Sequence, residues 1–150
     1  MVRLKYRYFL VELHFPDCKV HTSLVPSHLL STIYNAVQEN FGEVGLGRTQ
    51  NRIKVVYLAL LTGMAVIRVP ADFEKDARVC LASLVVVGRE RCVCNVVHVG
   101  GTIRTCQKKL YSYSLNRLHR QMLDTPDGRE RDQIRGVLER TLEEVKQLSY

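Results

Sequence analysis

The chain has 150 residues, enough for one domain with a hydrophobic core, and its 46% hydrophobic content excludes an intrinsically disordered protein. Lys and Arg outnumber Asp and Glu by 22 to 15, and the formal charge of +7 favours a polyanionic partner. No apolar run approaches the length of a membrane span, no N-terminal pattern resembles a signal peptide, and five cysteines, an odd number, favour free thiols in a reducing compartment.

The first half of the chain predicts a strand, a helix and then two more strands. We predict a strand over 3–15, a helix over 27–40, and strands over 52–61 and 64–70 joined by a turn at Thr62-Gly63. The first strand alternates with period two and places Arg3, Lys5 and Arg7 on one side. The sequence GEVGLG, residues 42–47, predicts the end of the helix and a loop.

The second half predicts a helix, a strand and two more helices. Their ranges are 71–84, 91–99, 102–123 and 129–148. The order indicates an α+β fold, an RRM-like or ferredoxin-like β-α-β-β-α-β sandwich with helices on one face of an antiparallel sheet, plus one or two C-terminal helices. We divide the chain into a basic domain, 1–123, and a mildly acidic helical tail, 124–150.

The start of the third predicted helix is unusually basic. Gly100 and Gly101 precede Thr102, a predicted N-cap, and the helix then carries Arg104, Lys108, Lys109, Arg117 and Arg120. No Asp or Glu occurs from Arg91 to Leu123. Because a helix N-terminus attracts anions, we expect the glycines, Thr102 and Arg104 to bind a phosphate. With Arg3, Lys5 and Arg7, these residues predict an RNA-binding surface.

Enzyme and metal chemistry find less support in the sequence. A metal-dependent nuclease needs clustered carboxylates, yet Glu12 is the only acid inside a predicted strand. Cys92, Cys94 and His98 share strand parity, but the C-x-C spacing is not typical of zinc sites. A catalytic pair with Cys106 as nucleophile and His98 as base is not supported by the sequence spacing either. We therefore assign no catalytic residue, no metal ligand and no cofactor to this chain.

The other face of the sheet is expected to be apolar and open. The sequence TGMAVIRVP has no aromatic residue where an ordinary RRM stacks RNA bases. An uncovered apolar face usually meets another protein, so we predict that a partner subunit binds there.

Two segments resemble the eukaryotic Pop-five family, the small protein subunits of ribonuclease P and ribonuclease MRP. They are HVGGTIRTCQKKL, residues 98–110, and MVRLKYRYFLVEL, residues 1–13; YLALLTGMAVIRVP is similar to the family's central hairpin. The resemblance covers 1–123. It implies an RRM-like sandwich and a non-catalytic role, with the catalytic magnesium ions held by the RNA subunit.

The resemblance also implies a biological setting. The holoenzyme removes the 5′ leader of precursor tRNA, and its MRP form processes precursor rRNA. The expected partners are ribonuclease P and MRP RNA, other protein subunits and, indirectly, precursor tRNA, with no DNA and no membrane; the expected location is the nucleus, mainly the nucleolus. The alternatives are a protein-interaction adaptor whose basic face is merely solvated, and a metal-dependent ribonuclease.

Overall fold

Four helices and six strands make up the computed structural model, which describes residues 3–17, 23–60 and 62–148. The helices are Pro26–Thr49 (α1), Glu74–Ala82 (α2), Ile103–Asp124 (α3) and Gly128–Gln147 (α4), with one 3₁₀ turn at Ala71–Phe73. The strands are Tyr6–His14 (β1), Lys54–Ala59 (β2), Met64–Pro70 (β3), Val86–Val87 (β4), Glu90–Arg91 (β5) and Val93–Gly100 (β6). In the described residues, no helix is long and apolar enough to cross a bilayer.

The main sheet confirms the predicted α+β topology. Its strand order is β2-β3-β1-β6 with every neighbouring pair antiparallel, which is the split βαβ arrangement. β1 therefore lies in the interior of the sheet, between β3 and β6. The predicted turn at Gly63 is present, with φ +67° and the backbone N–H of Leu13 donating to the Gly63 carbonyl at 2.7 Å.

One face of the sheet packs against α1 and α2. The odd-numbered β1 residues Phe9, Val11 and Leu13 point to this side and join the larger hydrophobic core. α1 contributes Leu29 and Ile33 to the same core. The period-two pattern of β1 and the helical spacing in α1 thus give two apolar surfaces that bury each other.

The opposite face of the sheet is also covered by helices. This corrects the expectation that helices lie on one face only and that the other face is apolar and open. Leu10, Met64 and Val66 on that face are fully buried in a second core. α3 covers them with Leu110, and α4 with Val145 near its C-terminus. The buried positions of α3 recur every three to four residues, which gives the helix a stripe that fits this face. The sheet face predicted for a partner subunit is therefore largely internal.

The last helix is fastened to the body of the protein. The Gln107 side-chain amide on α3 donates to the carbonyls of Val145, at 2.5 Å, and Lys146, at 3.0 Å. The carboxylate of Glu144 lies near Tyr57 on β2, and burial together with that carboxylate raises the pKa of Tyr57 to about 12. The division at residue 123 stays a prediction, but the far end of α4 packs on the 1–123 body.

Smaller differences from the predicted elements are local. Gly42 has φ +65° and interrupts α1, but the chain resumes a helical path to Thr49 where a loop was predicted. β4 and β5 form a small separate hairpin that the sequence did not indicate. Leu61, at the end of the predicted 52–61 strand, and residues 149–150 of the predicted tail lie outside the described residues.

Candidate nucleic-acid interface

A cleft of about 420 Å³ lies between the beginning of β1 and the beginning of α3. The pairing of β1 with β6 places Tyr8 opposite Gly100, so two segments more than 90 residues apart in sequence meet at this end of the sheet. The residues that line the cleft are Arg3, Leu4, Lys5, Tyr6, Arg7, Tyr8, Gly101 and Thr102. Five predicted RNA-binding residues from both segments are therefore brought together.

The start of α3 faces this cleft with a capped first turn. The hydroxyl of Thr102, the predicted N-cap, accepts from the Thr105 N–H at 3.4 Å and lies 2.9 Å from the Thr105 hydroxyl. A helix start has four N–H groups without intrahelical partners, and this cap engages one of them. The amides of Ile103 and Arg104 belong to the same first turn and can bind an anion.

The two glycines before the cap provide space rather than a left-handed backbone. Neither Gly100 nor Gly101 has a positive φ. A Cβ at the buried Gly100 would lie 3.1 Å from the Cβ of Thr105, so a larger residue would push the helix start away from β6. A Cβ at the exposed Gly101 would lie 3.8 Å from Arg7 Nη1. Gly100 therefore allows the start of α3 to pack closely against β6, whereas the missing side chain at Gly101 leaves the cleft open beside Arg7.

Two of the eight Lys and Arg residues predicted to bind RNA form ion pairs with acidic side chains. Arg7 Nε lies 3.3 Å from Glu74 Oε2 on α2, and Arg7 Nη1 donates to the carbonyl of Tyr6. Arg117 Nη1 donates to Glu12 Oε1 and so ties α3 to the centre of the sheet. These two arginines have architectural contacts in addition to the RNA role predicted for them.

The other six predicted cations are exposed, and none has an acidic partner within the described ranges. They are Arg3, Lys5, Arg104, Lys108, Lys109 and Arg120. Arg104 and Arg120 are separated by about 24 Å along the axis of α3, since each helical residue advances about 1.5 Å. The unpaired positive charge therefore extends from the cleft along most of one helix.

The acidic residues in and just before the first turns of α2 form ion pairs with arginines. Asp72 Oδ1 lies 3.5 Å from Arg52, Asp76 Oδ2 lies 3.9 Å from Arg48, and Glu74 contacts Arg7. Within the described residues, no group of three His, Cys, Asp or Glu side chains is placed to hold a metal ion. The cluster therefore fixes α2 against its neighbours.

The cysteines of the described chain are buried free thiols; Cys18 lies outside the described residues. Burial raises the pKa of Cys94 to about 12 and that of Cys106 to about 11. The Cys106 thiol donates to the carbonyl of Tyr8 at 3.1 Å. A thiol held protonated in this way is a poor nucleophile at neutral pH.

Sequence reasoning missed Tyr6 and Arg68 at the edge of the cleft. Tyr8 and Arg68 are directly opposite in the β1–β3 ladder, and Arg68 is opposite Lys54 in the β2–β3 ladder. The guanidinium carbon of Arg68 lies 4.4 Å from the centroid of the Tyr6 ring. The shared parity of Tyr6 and Tyr8 was a readable signal, but the opposing arginine depends on the register of β3.

Comparison with known proteins gives one consistent family. The sequence model of the Rpp14/Pop5 family matches residues 7–111. The chain is 32% identical to ribonuclease P/MRP protein subunit POP5 of Mus musculus, over 99% of this chain and 93% of the mouse protein. The human protein of that name is also 32% identical, over 94% of this chain and 89% of its own length.

A solved structure shares the fold. A chain in the cryo-EM structure of yeast ribonuclease MRP superposes with a TM-score of 0.52 at 14% sequence identity. The match covers 77% of this chain and 95% of the yeast chain. At this level of identity the likeness concerns the fold alone, and it agrees with the predicted α+β architecture.

Proposed function

Because the chain belongs to the Rpp14/Pop5 family, we propose that it is a protein subunit of ribonuclease P and ribonuclease MRP. The mouse and human relatives carry that designation and align with nearly the whole chain. The resemblance of 1–123 to the Pop-five family leads to the same assignment.

Within that assembly we propose an RNA-binding, non-catalytic role. The observation that carries this proposal is the cleft in which Arg3, Lys5 and Arg7, which lie just before β1 and at its beginning, meet the start of α3. Exposed cations along α3 continue the positive surface beyond the cleft. Backbone N–H groups at a helix start and arginine guanidinium groups both suit phosphate oxygens. A face that was basic only for solubility would not require Arg3 and Lys5 to converge with Gly101 and Thr102.

The absence of acids along α3 supports the same role. The helix holds five Lys and Arg before its final residue, Asp124. Each anion bound there replaces mutual repulsion between cations by attraction, so a polyanion stabilises this helix where a neutral partner would not. RNA is the polyanion present in the proposed assembly.

The proposed biological role follows from the assembly. The subunit stabilises the catalytic RNA during removal of the 5′ leader from precursor tRNA and during rRNA processing, together with other protein subunits. The RNA, rather than this chain, would hold the magnesium ions. The proposed location is the nucleus, mainly the nucleolus, with neither DNA nor a membrane as partner.

The test is to purify the tagged full-length protein from cells and sequence the RNA that accompanies it. Ribonuclease P and MRP RNA are expected with the wild type. Changing Arg104, Lys108 and Lys109 together to Gln should reduce their recovery strongly, because three uncompensated charges are lost from one surface.

The matched control changes three exposed arginines of α4, namely Arg129, Arg135 and Arg140, to Gln. It removes the same charge from another surface and should retain the RNA. Equal RNA recovery from wild type and both variants would favour the adaptor with a solvated basic face. Cleavage of precursor tRNA by protein freed of all RNA would instead support a protein ribonuclease.

A further inference from the structure

We propose that Tyr6 and Arg68 form a stacking site for one unpaired RNA base, so that the interface selects a single-stranded segment. This inference rests on the proposed RNA-binding role and names the form of RNA that the site takes. Its basis is a corner of the sheet that α3 and α4 leave accessible.

The corner is defined by how burial changes along the strands. Leu10 and Val66 are opposite each other and fully buried beneath α3. One step towards the cleft on the same face, Tyr8 and Arg68 are opposite each other and only partly buried, and Lys54 on the next strand is exposed. Tyr6 follows one further step along β1 and is also only partly buried. The cover provided by the helices therefore ends between these positions.

The chemistry of the corner is that of a planar cationic surface. The Arg68 guanidinium lies over the Tyr6 ring at 4.4 Å, and its charge has no acidic partner in the described part of the chain. Its Nε is buried without a hydrogen-bond partner there, so the ring rather than an acid positions the group. Nucleic-acid bases stack on aromatic rings and on guanidinium planes.

The corner is continuous with the phosphate cleft. Tyr6 and Tyr8 line the cleft together with Gly101 and Thr102. An RNA strand whose phosphate binds at the start of α3 can therefore place a base against Tyr6, which lines the same cleft and carries Arg68 over its ring. A base inside an A-form duplex is already stacked and paired, so only an unpaired or extruded base can reach the site.

The experiment measures binding of the purified full-length chain to a single-stranded oligoribonucleotide and to a duplex of equal charge, by fluorescence anisotropy across a salt series. Tyr6→Leu should weaken single-strand binding about tenfold, within the range for loss of one stacked base, and leave duplex binding unchanged. The slope of log affinity against log salt should also stay unchanged, since no cation is removed. Tyr6→Phe keeps the ring and should bind like wild type.

Tyr113→Leu is the matched control, because Tyr113 is an exposed ring on α3 away from the corner. In a second readout, RNA containing 5-iodouridine should photocrosslink to the peptide that carries Tyr6. Unchanged single-strand affinity in Tyr6→Leu, or an equal loss in Tyr113→Leu, would overturn the stacking site while leaving RNA binding itself intact. If wild type bound neither RNA, the proposed function would fall together with the site.

Discussion

Truncating Val145 to Ala tests whether α4 is part of the folded body. The Val145 side chain is 0% exposed and lies in the second core with Leu10, Met64 and Leu110. The substitution removes two methyl groups, and at about 0.8 kcal/mol for each buried carbon the loss is about 1.6 kcal/mol. A residual cavity raises the expected loss in the free energy of unfolding to about 2 kcal/mol.

Thermal unfolding followed by far-ultraviolet circular dichroism measures this effect. For a domain of this length, about 2 kcal/mol corresponds to a fall in Tm of about 4–8 °C. Val44→Ala is the matched control, because Val44 is 76% exposed on α1 and its truncation should change stability by less than about 0.5 kcal/mol. Equal Tm values for the two variants would show that α4 is not packed on the sheet, and the second core would need a different account.

Three further outcomes follow from single positions. Arg104→Gln should weaken RNA binding and reduce the slope of log affinity against log salt by about one contact; an unchanged slope would remove Arg104 from the phosphate site. The pKa of Tyr57 is raised from 10.0 to about 12 by burial and Glu144, so its contribution to stability is complete below pH 10 and is lost as the pH rises through 12. In denaturant titrations, Tyr57→Phe should therefore lose less stability than wild type over pH 10–12, and parallel losses would contradict this. Gly63→Ala should lower the free energy of unfolding in urea by about 1–3 kcal/mol, because φ is +67° and the new Cβ would lie 2.7 Å from a β1 carbonyl oxygen. Gly136→Ala is the control: its new Cβ would have nothing within 4 Å, and the substitution should stabilise α4. An unchanged free energy of unfolding in Gly63→Ala would refute the turn geometry.

The elements that could be predicted from the sequence are those with local signals. The alternation of β1, the glycine turn between β2 and β3, and the Thr102 cap each depend on residues within a few positions of one another. The docking of α4 could not be predicted in this way, because Val145 meets Leu10 and Met64, which lie far away in the chain. The sparse apolar stripe of the tail gave no indication of the surface it covers.

The candidate site also combines residues that local sequence patterns identify with contacts that depend on the fold. The cations near the N-terminus and along α3 could be named from composition and spacing, and their role in RNA binding stays a prediction. Their shared cleft requires the β1–β6 register, and the pairing of Arg117 with Glu12 requires α3 to cross the sheet above β1. Tyr6 and Arg68 were missed because their contact depends on the register between β1 and β3.

The interior position of β1 in the sheet has a consequence for biosynthesis. Its two neighbours, β3 and β6, end at Pro70 and Gly100, so the strand made first must wait for partners made much later. At about 5–20 residues per second, the ribosome needs several seconds to extend the chain from Tyr8 to its partner Gly100. Because the cleft is lined by the beginning of β1 and by the residues that follow β6, a nascent chain has no such cleft until the final strand has emerged and paired.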